Sequence, residues 1–395
     1  MKPAGRIDLP DRMRDPAAAR LFAALDAAGI AARFVGGCVR NAVLGSGIDD
    51  IDIAVRKPPE TVMLALRAAK LKVIPTGLKH GTVTAVVDGR TFELTTLRRD
   101  VETDGRHAVV AFTDDWLEDA SRRDFTFNAL YADRDGTLYD PFEGRADLAR
   151  HKVRFIGDPD LRIAEDRLRV LRFFRFHAWY GAPPLDGPSY AACARHSGAL
   201  GNLSGERVAK EVLRLLAAPD PADAIEAMAD AGALDHWLPE YDGTKLLRAL
   251  IARETAPDGL RRLAAVLEGT ADATAIGKRL KLSTQQALRL DLMIAREPPV
   301  GVNLRAELYR LGKTVFVDRA LLQAPDNWQE ALKLADEWTP PELPVSGADA
   351  LKLGLKPGPK VGVLLDQIER WWIAGDFAAD RDSCLAELER LAKHT

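Results

Sequence analysis

The pattern of hydrophobic and polar positions is most informative between residues 33 and 55, RFVGGCVRNAVLGSGIDDIDIAV. Residues 34–35 predict the end of a short buried strand, Gly36 and Gly37 break it, and residues 39–44 predict a helix. The DIDI segment that follows, residues 50–53, alternates strictly. It predicts a second strand with two carboxylates on one face, about 6.6 Å apart along the strand. The pattern therefore predicts one strand-turn-helix-strand unit.

Further strands are predicted after this unit. Extended segments lie at residues 73–76, 82–87 and 91–97, and the last two flank Asp88-Gly89, a strong hairpin signal. Beyond Phe155 the strand signals nearly vanish, and helical patterns separated by Pro and Gly follow. We therefore predict an α+β fold, a small mixed β-sheet head followed by an all-helical neck, body and tail. The predicted boundaries are 1–150 for the head, 151–218 for the neck, 219–340 for the body and 341–395 for the tail.

Composition limits the class of protein. The chain has 395 residues, of which 47% are hydrophobic and 29% charged, as in a globular protein of several domains. No apolar run of 18 residues and no export signal is present, so we predict neither membrane insertion nor export. Cys38, Cys193 and Cys384 lack a CxxC spacing, which argues against a disulfide framework or a zinc site and favours the cytoplasm.

Charge adds one constraint on partners. The net charge of −3 is unusual for a protein that binds nucleic acid, since general basicity is the usual feature. Arginines are nevertheless crowded between residues 90 and 175. Any binding of phosphate should therefore be local to that part of the chain.

Asp50 and Asp52 are the first candidates for chemistry. Aspartate is a poor strand former, so two of them in one short strand need a reason. Carboxylates are good ligands for Mg²⁺, which shares its other coordination positions with water and substrate phosphates. The turn at Gly36 and Gly37 opens a helix whose backbone N–H groups can bind a triphosphate. The alternative is an amphipathic strand with a solvated acidic face.

The order GG, VR, LG and D-x-D within one unit resembles a known signature. It is similar to that of the class II nucleotidyltransferases that act on RNA 3′ ends, the bacterial CCA-adding enzymes and poly(A) polymerases, whose pattern is GG-x-V-R-D, L-L-G and D-x-D. Arg40, Asp50 and Asp52 match this pattern. Asn41 stands where the family usually has aspartate, so the role of that aspartate is not carried over.

Two further segments resemble the family's head. ELTTLR, residues 93–98, is similar to E-V-T-T-F-R, and this resemblance implies that Glu93 is a third carboxylate and that Arg98 lies near the metals. The alternative is that Glu93 faces solvent. The polar residues 98–116 lack periodicity and predict a mobile loop, which in the family helps the site to switch from adding C to adding A.

The segment RRDFTFNA matches the family's R-R-D-F-T-x-N-A at every fixed position. Arg122 and Arg123 can pair with phosphate oxygens, while the Asp124 carboxylate and the Asn128 amide can hydrogen-bond ribose hydroxyls. The alternative is a helix N-terminus with charged flanks.

A single long helix is predicted over residues 161–179. In it, ED-x-L-R-x-x-R-x-x-RF matches the family motif, with Asp166, Arg169 and Arg172 on one face at spacings of three. The resemblance implies that Asp166 and Arg169 select the base. A carboxylate accepts and a guanidinium donates, which suits the amine and ring nitrogen of C and A and repels U and G. The alternative is an ordinary salt-bridged surface helix.

Taken together, the resemblance implies a CCA tRNA nucleotidyltransferase that adds C, C and A to the tRNA 3′ end from CTP and ATP, with Mg²⁺ as cofactor. A poly(A) polymerase, an enzyme that adds only A or only C, and a non-catalytic RNA-binding protein are the alternatives. GLKHGTVT, residues 77–84, resembles the CCA-adding branch more than the poly(A) branch. In the tail, GLKPGPKVG, residues 354–362, is a candidate RNA contact because glycine N–H groups and two lysines can hold a phosphate.

Overall fold

The computed structural model describes residues 1–103, 108–295 and 303–393. Residues 104–107 of the predicted loop lie outside this description. The strands are β1 (Gly5–Arg6), β2 (Ala32–Val35), β3 (Asp52–Val55), β4 (Lys72–Gly77), β5 (Thr82–Val87), β6 (Arg90–Thr96), β7 (Arg98–Thr103), β8 (Ala108–Phe112), β9 (Tyr131–Ala132) and β10 (Thr137–Tyr139).

The helices lie before, between and after these strands. They are α1 (Asp11–Arg14), α2 (Pro16–Ala27), α3 (Gly37–Leu44), α4 (Pro59–Ala68), α5 (Trp116–Ser121), α6 (Gly144–Ala149), α7 (Pro159–Glu165), α8 (Leu168–Tyr180), α9 (Gly187–His196), α10 (Gly205–Leu216), α11 (Ala222–Asp230), α12 (Lys245–Ile251), α13 (Gly259–Ala265), α14 (Ala273–Leu280), α15 (Thr284–Ile294), α16 (Leu304–Gln323), α17 (Trp328–Glu337), α18 (Gly347–Lys352), α19 (Pro359–Ala374) and α20 (Arg381–Ala392). Among the described residues, none of them combines the length and apolar character needed to cross a bilayer.

The predicted mixed sheet is confirmed. Eight strands pair in the order β1-β10-β9-β2-β3-β6-β5-β4, with β3 and β6 parallel. Asp88 and Gly89 join β5 to β6 with φ angles of 50° and 78°, the backbone of a tight hairpin turn. The Phe22 ring of α2 lies 4.8 Å from that of Phe34 on β2, and both are buried. The amphipathic helix α2 therefore covers one face of the sheet near the start of the predicted site.

The structure differs from the sequence predictions at three places. Strand β3 begins at Asp52, so Asp50 precedes the strand and the predicted shared strand face is wrong. Residues 98–103 and 108–112 form the antiparallel pair β7-β8 where a loop without strands was predicted. The predicted helix over residues 161–179 is two helices, because Asp166 is extended, with φ −151° and ψ 106°.

The chain folds into two compact units. One comprises residues 1–244, 257–259 and 278–282, and contains the sheet and the helices up to α11. The other comprises residues 245–256, 260–277 and 283–395, and its described elements are helices. Inside this second unit, the buried Asp318 carboxylate accepts hydrogen bonds from Arg261 and Arg289 at 2.9 and 2.7 Å. The four-part division into head, neck, body and tail stays a prediction.

Candidate active site

Two carboxylates are paired where β3 and β6 run side by side, and a third lies just before β3. Asp52 is the first residue of β3, and its partner in the parallel ladder is Glu93 of β6. The Glu93 backbone N–H donates to the carbonyl of Ile51 at 3.1 Å, which fixes this register. Paired residues in adjacent strands project to the same face, about 4.8 Å apart across the ladder. Asp50, two residues earlier, is exposed.

The environment of Asp52 disfavours a negative charge. Burial and the neighbouring Glu93 and Asp50 carboxylates together raise its pKa to about 6, against the opposing charge of Arg123. A bound cation would offset this repulsion, and hard carboxylate oxygens are the donors that a divalent metal such as Mg²⁺ takes. Within the described residues, no three His, Cys, Asp or Glu side chains form a ready-made metal site. The carboxylates fit a metal that completes its coordination with water and substrate oxygens.

The glycine turn has the backbone that its sequence requires. Gly36 has φ 73° and ψ −125°, a region that favours glycine, and it precedes the first turn of α3. The N–H groups of that first turn have no partner within the helix. Gly36 and Gly37 line a cleft together with Asp50 and Asp52. An anion in this cleft can therefore approach both the helix N-terminus and the carboxylates.

Arg40 and Asn41 connect this turn to neighbouring segments. The Arg40 guanidinium is buried, and its Nη1 donates to the Asn128 Oδ1 at 2.7 Å. Its Nη2 donates to the Asn41 Oδ1 at 3.0 Å, and the Asn41 Nδ2 donates to the Gly47 carbonyl at 2.8 Å. An aspartate at position 41 has no N–H to give the Gly47 carbonyl. Asn41 thus ties α3 to the segment that leads to Asp50.

Asp119 was not predicted from the sequence, although it lies in the segment that precedes the RRD motif. Its side chain is 1% exposed and accepts from Arg122 Nη2 at 2.8 Å, Arg123 Nη2 at 3.0 Å and the Tyr131 hydroxyl at 2.6 Å. Burial by itself would raise its pKa, but the charges of Arg123 and Arg122 outweigh burial and hold the pKa of Asp119 well below its usual range. The Arg98 backbone N–H also donates to it, at 3.2 Å. Asp119 therefore fixes both predicted phosphate-binding arginines.

Replacing Asp119 with alanine should lower the free energy of unfolding by about 3 to 5 kcal/mol. Removing one partner of a buried ion pair leaves the other charge buried and uncompensated. Urea unfolding at neutral pH measures the effect. Asp26→Ala is the matched control, because Asp26 pairs with Arg134 on the surface, where both side chains are about half exposed. Equal effects of the two substitutions would contradict the assigned role of Asp119.

Stability should also fall in acid through the same group. The pKa of Asp119 is lowered from 3.8, so the unfolded chain binds more protons than the folded one below about pH 4. The stabilisation is complete above the unfolded pKa and is lost as the pH falls towards the folded value. Urea unfolding between pH 5 and about pH 2 should show this loss, with a smaller slope in Asp119→Asn. An unchanged slope in the variant would contradict this assignment.

Asp124 and Asn128 lie beside α8. The Asp124 Oδ2 accepts from Arg172 Nε at 2.7 Å, and its Oδ1 accepts from Asn128 Nδ2 at 2.9 Å. Burial would raise the pKa of Asp124, but Arg172 and the Asn128 hydrogen bond outweigh it and hold that pKa well below its usual range. The Phe125 and Phe176 rings, 5.3 Å apart, add an apolar contact between the RRD motif and α8. This contact places α8 beside the sheet.

The predicted base-selecting residues lie at the break between α7 and α8. Asp166 Oδ1 accepts from the Leu168 N–H at 3.1 Å, which starts α8, and its Oδ2 accepts from Arg207 Nη2 of α10 at 2.7 Å. A side chain that caps the backbone in this way favours a helix end over a helix interior. Arg169 Nη1 instead pairs with Glu165 at 2.6 Å. Asp166 and Arg169 are therefore close in sequence, but their side chains have different partners in the protein without a bound nucleotide.

An open cleft of about 1080 Å³ brings these groups together. Every predicted site residue except Glu93 and Arg98 lines it. The lining contains eight arginines, 40, 122, 123, 169, 172, 175, 207 and 214, and five aspartates, 49, 50, 52, 124 and 166. The cleft thus carries a positive excess although the whole chain has a net charge of −3. Arg207 and Arg214 were not predicted, since they lie on α10, far from the motifs in sequence.

Known proteins share this sequence and fold. A family model described as the poly A polymerase head domain matches residues 32–154, and one described as a probable RNA and SrmB-binding site of polymerase A matches residues 185–244. The mitochondrial CCA tRNA nucleotidyltransferase 1 of Danio rerio is 34% identical, over 91% of this chain and 87% of that protein. The CCA-adding enzyme of Lacticaseibacillus paracasei is 32% identical, over 91% and 92% of the two chains. The crystal structure of the Bacillus stearothermophilus CCA-adding enzyme in complex with CTP has a TM-score of 0.79 at 29% identity, covering 96% of this chain and 98% of that one.

Proposed function

Because the chain belongs to the family of CCA-adding enzymes and bacterial poly(A) polymerases, we propose that it adds C, C and A to the 3′ end of tRNA. The substrates are CTP and ATP, and each addition releases pyrophosphate. One observation carries this proposal. Asp50 and Asp52 line the same cleft as Asp166 and Arg169, so one bound nucleotide can place its triphosphate near the first pair and its base near the second.

Nucleotidyltransferases of this family generally use a divalent metal, and we propose Mg²⁺. Asp50 and Asp52 would hold it, with Glu93 as the neighbouring third carboxylate. When bound, the ion activates the RNA 3′-hydroxyl and neutralises charge on the triphosphate. The raised pKa of Asp52 supports the assignment, since a cation would stabilise its ionised form. Glu93 does not line the cleft, so its role is one of charge beside Asp52.

The phosphates are assigned to backbone and arginine donors. In the addition step the 3′ oxygen forms a bond to the α-phosphorus, the hydroxyl loses its proton, and the bond to pyrophosphate breaks. The Gly36 N–H donates to the Leu130 carbonyl at 3.0 Å, so the backbone N–H of Gly37 and the guanidinium groups of Arg122 and Arg123 are the groups that can stabilise the charge on the phosphate oxygens. Arg40 is buried and hydrogen-bonded to Asn128, so we assign it to positioning the turn.

Base choice is assigned to the start of α8. Asp166 would accept from the exocyclic amine and Arg169 would donate to the ring nitrogen of C or A. The Asp166 carboxylate already accepts a hydrogen bond from Arg207, which is the role that this assignment gives it toward the amine. Asp124, Asn128 and Arg172 connect the start of α8 to the RRD motif of the head. Asp124 and Asn128 would also hydrogen-bond the ribose hydroxyls of the nucleotide.

Primer extension tests the proposal. The protein is incubated with Mg²⁺, both CTP and ATP with one of them labelled, and tRNA transcripts that end before CCA, after C, or after CC. We expect two C additions to the first transcript, one to the second and none to the third, and then a single A addition to every transcript. Long A tails would indicate a poly(A) polymerase, addition of one nucleotide alone would indicate a specialised enzyme, and RNA binding without incorporation would indicate a non-catalytic protein.

Compartment and tail contacts are finer parts of the proposal. The three cysteines are free and buried, which supports a reducing compartment, and we propose the cytoplasm. The segment 354–362 includes the first turn of α19, and we propose that it contacts tRNA.

A further inference from the structure

Trp179 is an exposed aromatic side chain inside the cleft. It lies near the end of α8, 42% of its surface is exposed, and it lines the same cleft as the predicted site residues. Its indole Nε1 donates to the carbonyl of Arg214 on α10 at 2.7 Å. That hydrogen bond satisfies the polar edge of the ring and fixes its orientation. The exposed apolar surface of the ring is not needed for this contact.

The helix places Trp179 in line with the base-selecting end of the cleft. Arg169, Arg172, Phe176 and Trp179 follow one another at spacings of three and four, and all four line the cleft. Such spacings lie on one helical face. Ten residues at 1.5 Å each put Trp179 about 15 Å along the helix from Arg169. Trp179 therefore lies about three turns of α8 beyond Arg169, which is assigned to the incoming base.

The surroundings of Trp179 are cationic. Arg175 of α8 and Arg207 and Arg214 of α10 line the same cleft. Arg175 pairs with the buried Glu211, and Arg207 with Asp166, while the Arg214 side chain is exposed beside the indole. An aromatic ring next to arginines is the arrangement by which proteins bind single-stranded nucleic acid, through base stacking and phosphate contacts.

We propose that Trp179 is a stacking platform for an unpaired base of the RNA 3′ end, upstream of the nucleotide that is extended. This inference rests on the proposed function, since it takes the occupant of the cleft to be RNA. Every base has a π-face, so a stacked ring holds the 3′ strand whether the unpaired base upstream of the extended nucleotide is the discriminator base or an added C. Trp179 would therefore serve successive additions without reading sequence.

Binding of two RNAs without nucleotides tests the platform. One is a tRNA acceptor minihelix with an unpaired 3′ extension, and the other is the same hairpin with a blunt end. Trp179→Ala should weaken binding of the extended RNA on the order of tenfold, because stacking contributes that much per base. Binding of the blunt hairpin should change by less than about twofold. Equal loss for both RNAs, or no loss, would overturn the proposal.

Trp179→Phe separates stacking from the hydrogen bond to Arg214. Phenylalanine keeps an aromatic face but has no N–H, so this variant should bind the extended RNA nearly as tightly as the unchanged protein. If it binds as weakly as Trp179→Ala, the indole acts structurally and the platform is refuted. Leu161→Ala is the control, since Leu161 is 62% exposed on α7 and does not line the cleft. Thermal unfolding shows whether each variant is folded.

The two proposals fail in different ways. Absence of C and A incorporation by the unchanged protein would refute the proposed function, while the binding measurements would still report on stacking. If the unchanged protein incorporates C and A but Trp179→Ala does not weaken binding of the extended RNA more than that of the blunt hairpin, the platform alone is refuted.

Discussion

Replacing Asp52 with asparagine should slow both C and A addition by about a thousandfold. Metal ions contribute several kcal/mol of transition-state stabilisation, and each 1.36 kcal/mol corresponds to a factor of ten in rate. The ionised form of the Asp52 carboxylate is disfavoured without a cation, since its pKa is raised to about 6. Loss of its charge should remove metal binding. Single-turnover incorporation with saturating RNA and nucleotide measures the effect, and retention of more than a few per cent of the rate would sink the assignment.

Stability provides a second readout for the same variant. A raised folded-state pKa means that the metal-free protein is more stable when Asp52 is protonated, and that this stabilisation is lost as the pH rises from about 4 to 6. Asp52→Asn should therefore unfold at a slightly higher urea concentration than the unchanged protein at pH 7 in EDTA. If Asp52→Asn is less active but more stable than the unchanged protein, its loss of activity is due to lost chemistry and cannot be due to misfolding.

Asp49→Asn is the matched control for Asp52. Asp49 lines the same cleft and is exposed, but it is not among the charges that raise the pKa of Asp52. Its substitution should change the rate by less than about threefold, as expected for a surface position. Asp50→Asn should resemble Asp52→Asn. If Asp49→Asn were as damaging as these two, the metal would need a different set of carboxylates.

Asp166→Ala should reduce use of CTP and ATP by tenfold or more. Removing a partner that leaves a buried group unpaired costs about 1 to 3 kcal/mol, and more if that group is charged. The variant should also accept UTP and GTP more readily, because the carboxylate that repelled their carbonyl groups is gone. Arg169→Ala should weaken the same discrimination from the ring-nitrogen side. Steady-state incorporation of all four nucleotides by both variants measures the expected change.

Structural effects of Asp166→Ala need a separate control. Asp166 also accepts hydrogen bonds from the Leu168 N–H at the start of α8 and from Arg207, so its loss affects the fold. Asp166→Asn keeps an oxygen for the Leu168 N–H but adds a donor, and should therefore lose discrimination with less loss of stability. Asp160→Ala is the matched aspartate on α7, since Asp160 pairs with Arg195 and does not line the cleft. An unchanged relative preference in both Asp166 variants and in Arg169→Ala would put base selection elsewhere.

Local patterns predicted much of the head. The period of two in residues 82–87 and 91–97, with Asp88-Gly89 between them, predicted strands β5 and β6 within one residue of their ends. The double glycine predicted the turn before α3, whose positive φ the structure has at Gly36. The failures were also local in origin. In residues 50–53 the alternation predicted a strand that begins at Asp50, whereas β3 begins at Asp52. In residues 161–179 the spacing of charges predicted one helix, whereas Asp166 is extended and separates α7 from α8.

What the sequence by itself determined was the type of each element in the head and the chemical groups that the cleft contains. Turn residues and periodicity act over a few neighbouring positions, so they can be recognised without knowing the fold. Only the tertiary structure decided which group each charge contacts. Arg40 donates to Asn128 across 88 residues, Arg172 to Asp124 across 48, and Arg207 to Asp166 across 41. Any of many arginines satisfies the sequence pattern, and close packing between the sheet, α8 and α10 selects the one whose guanidinium reaches the carboxylate.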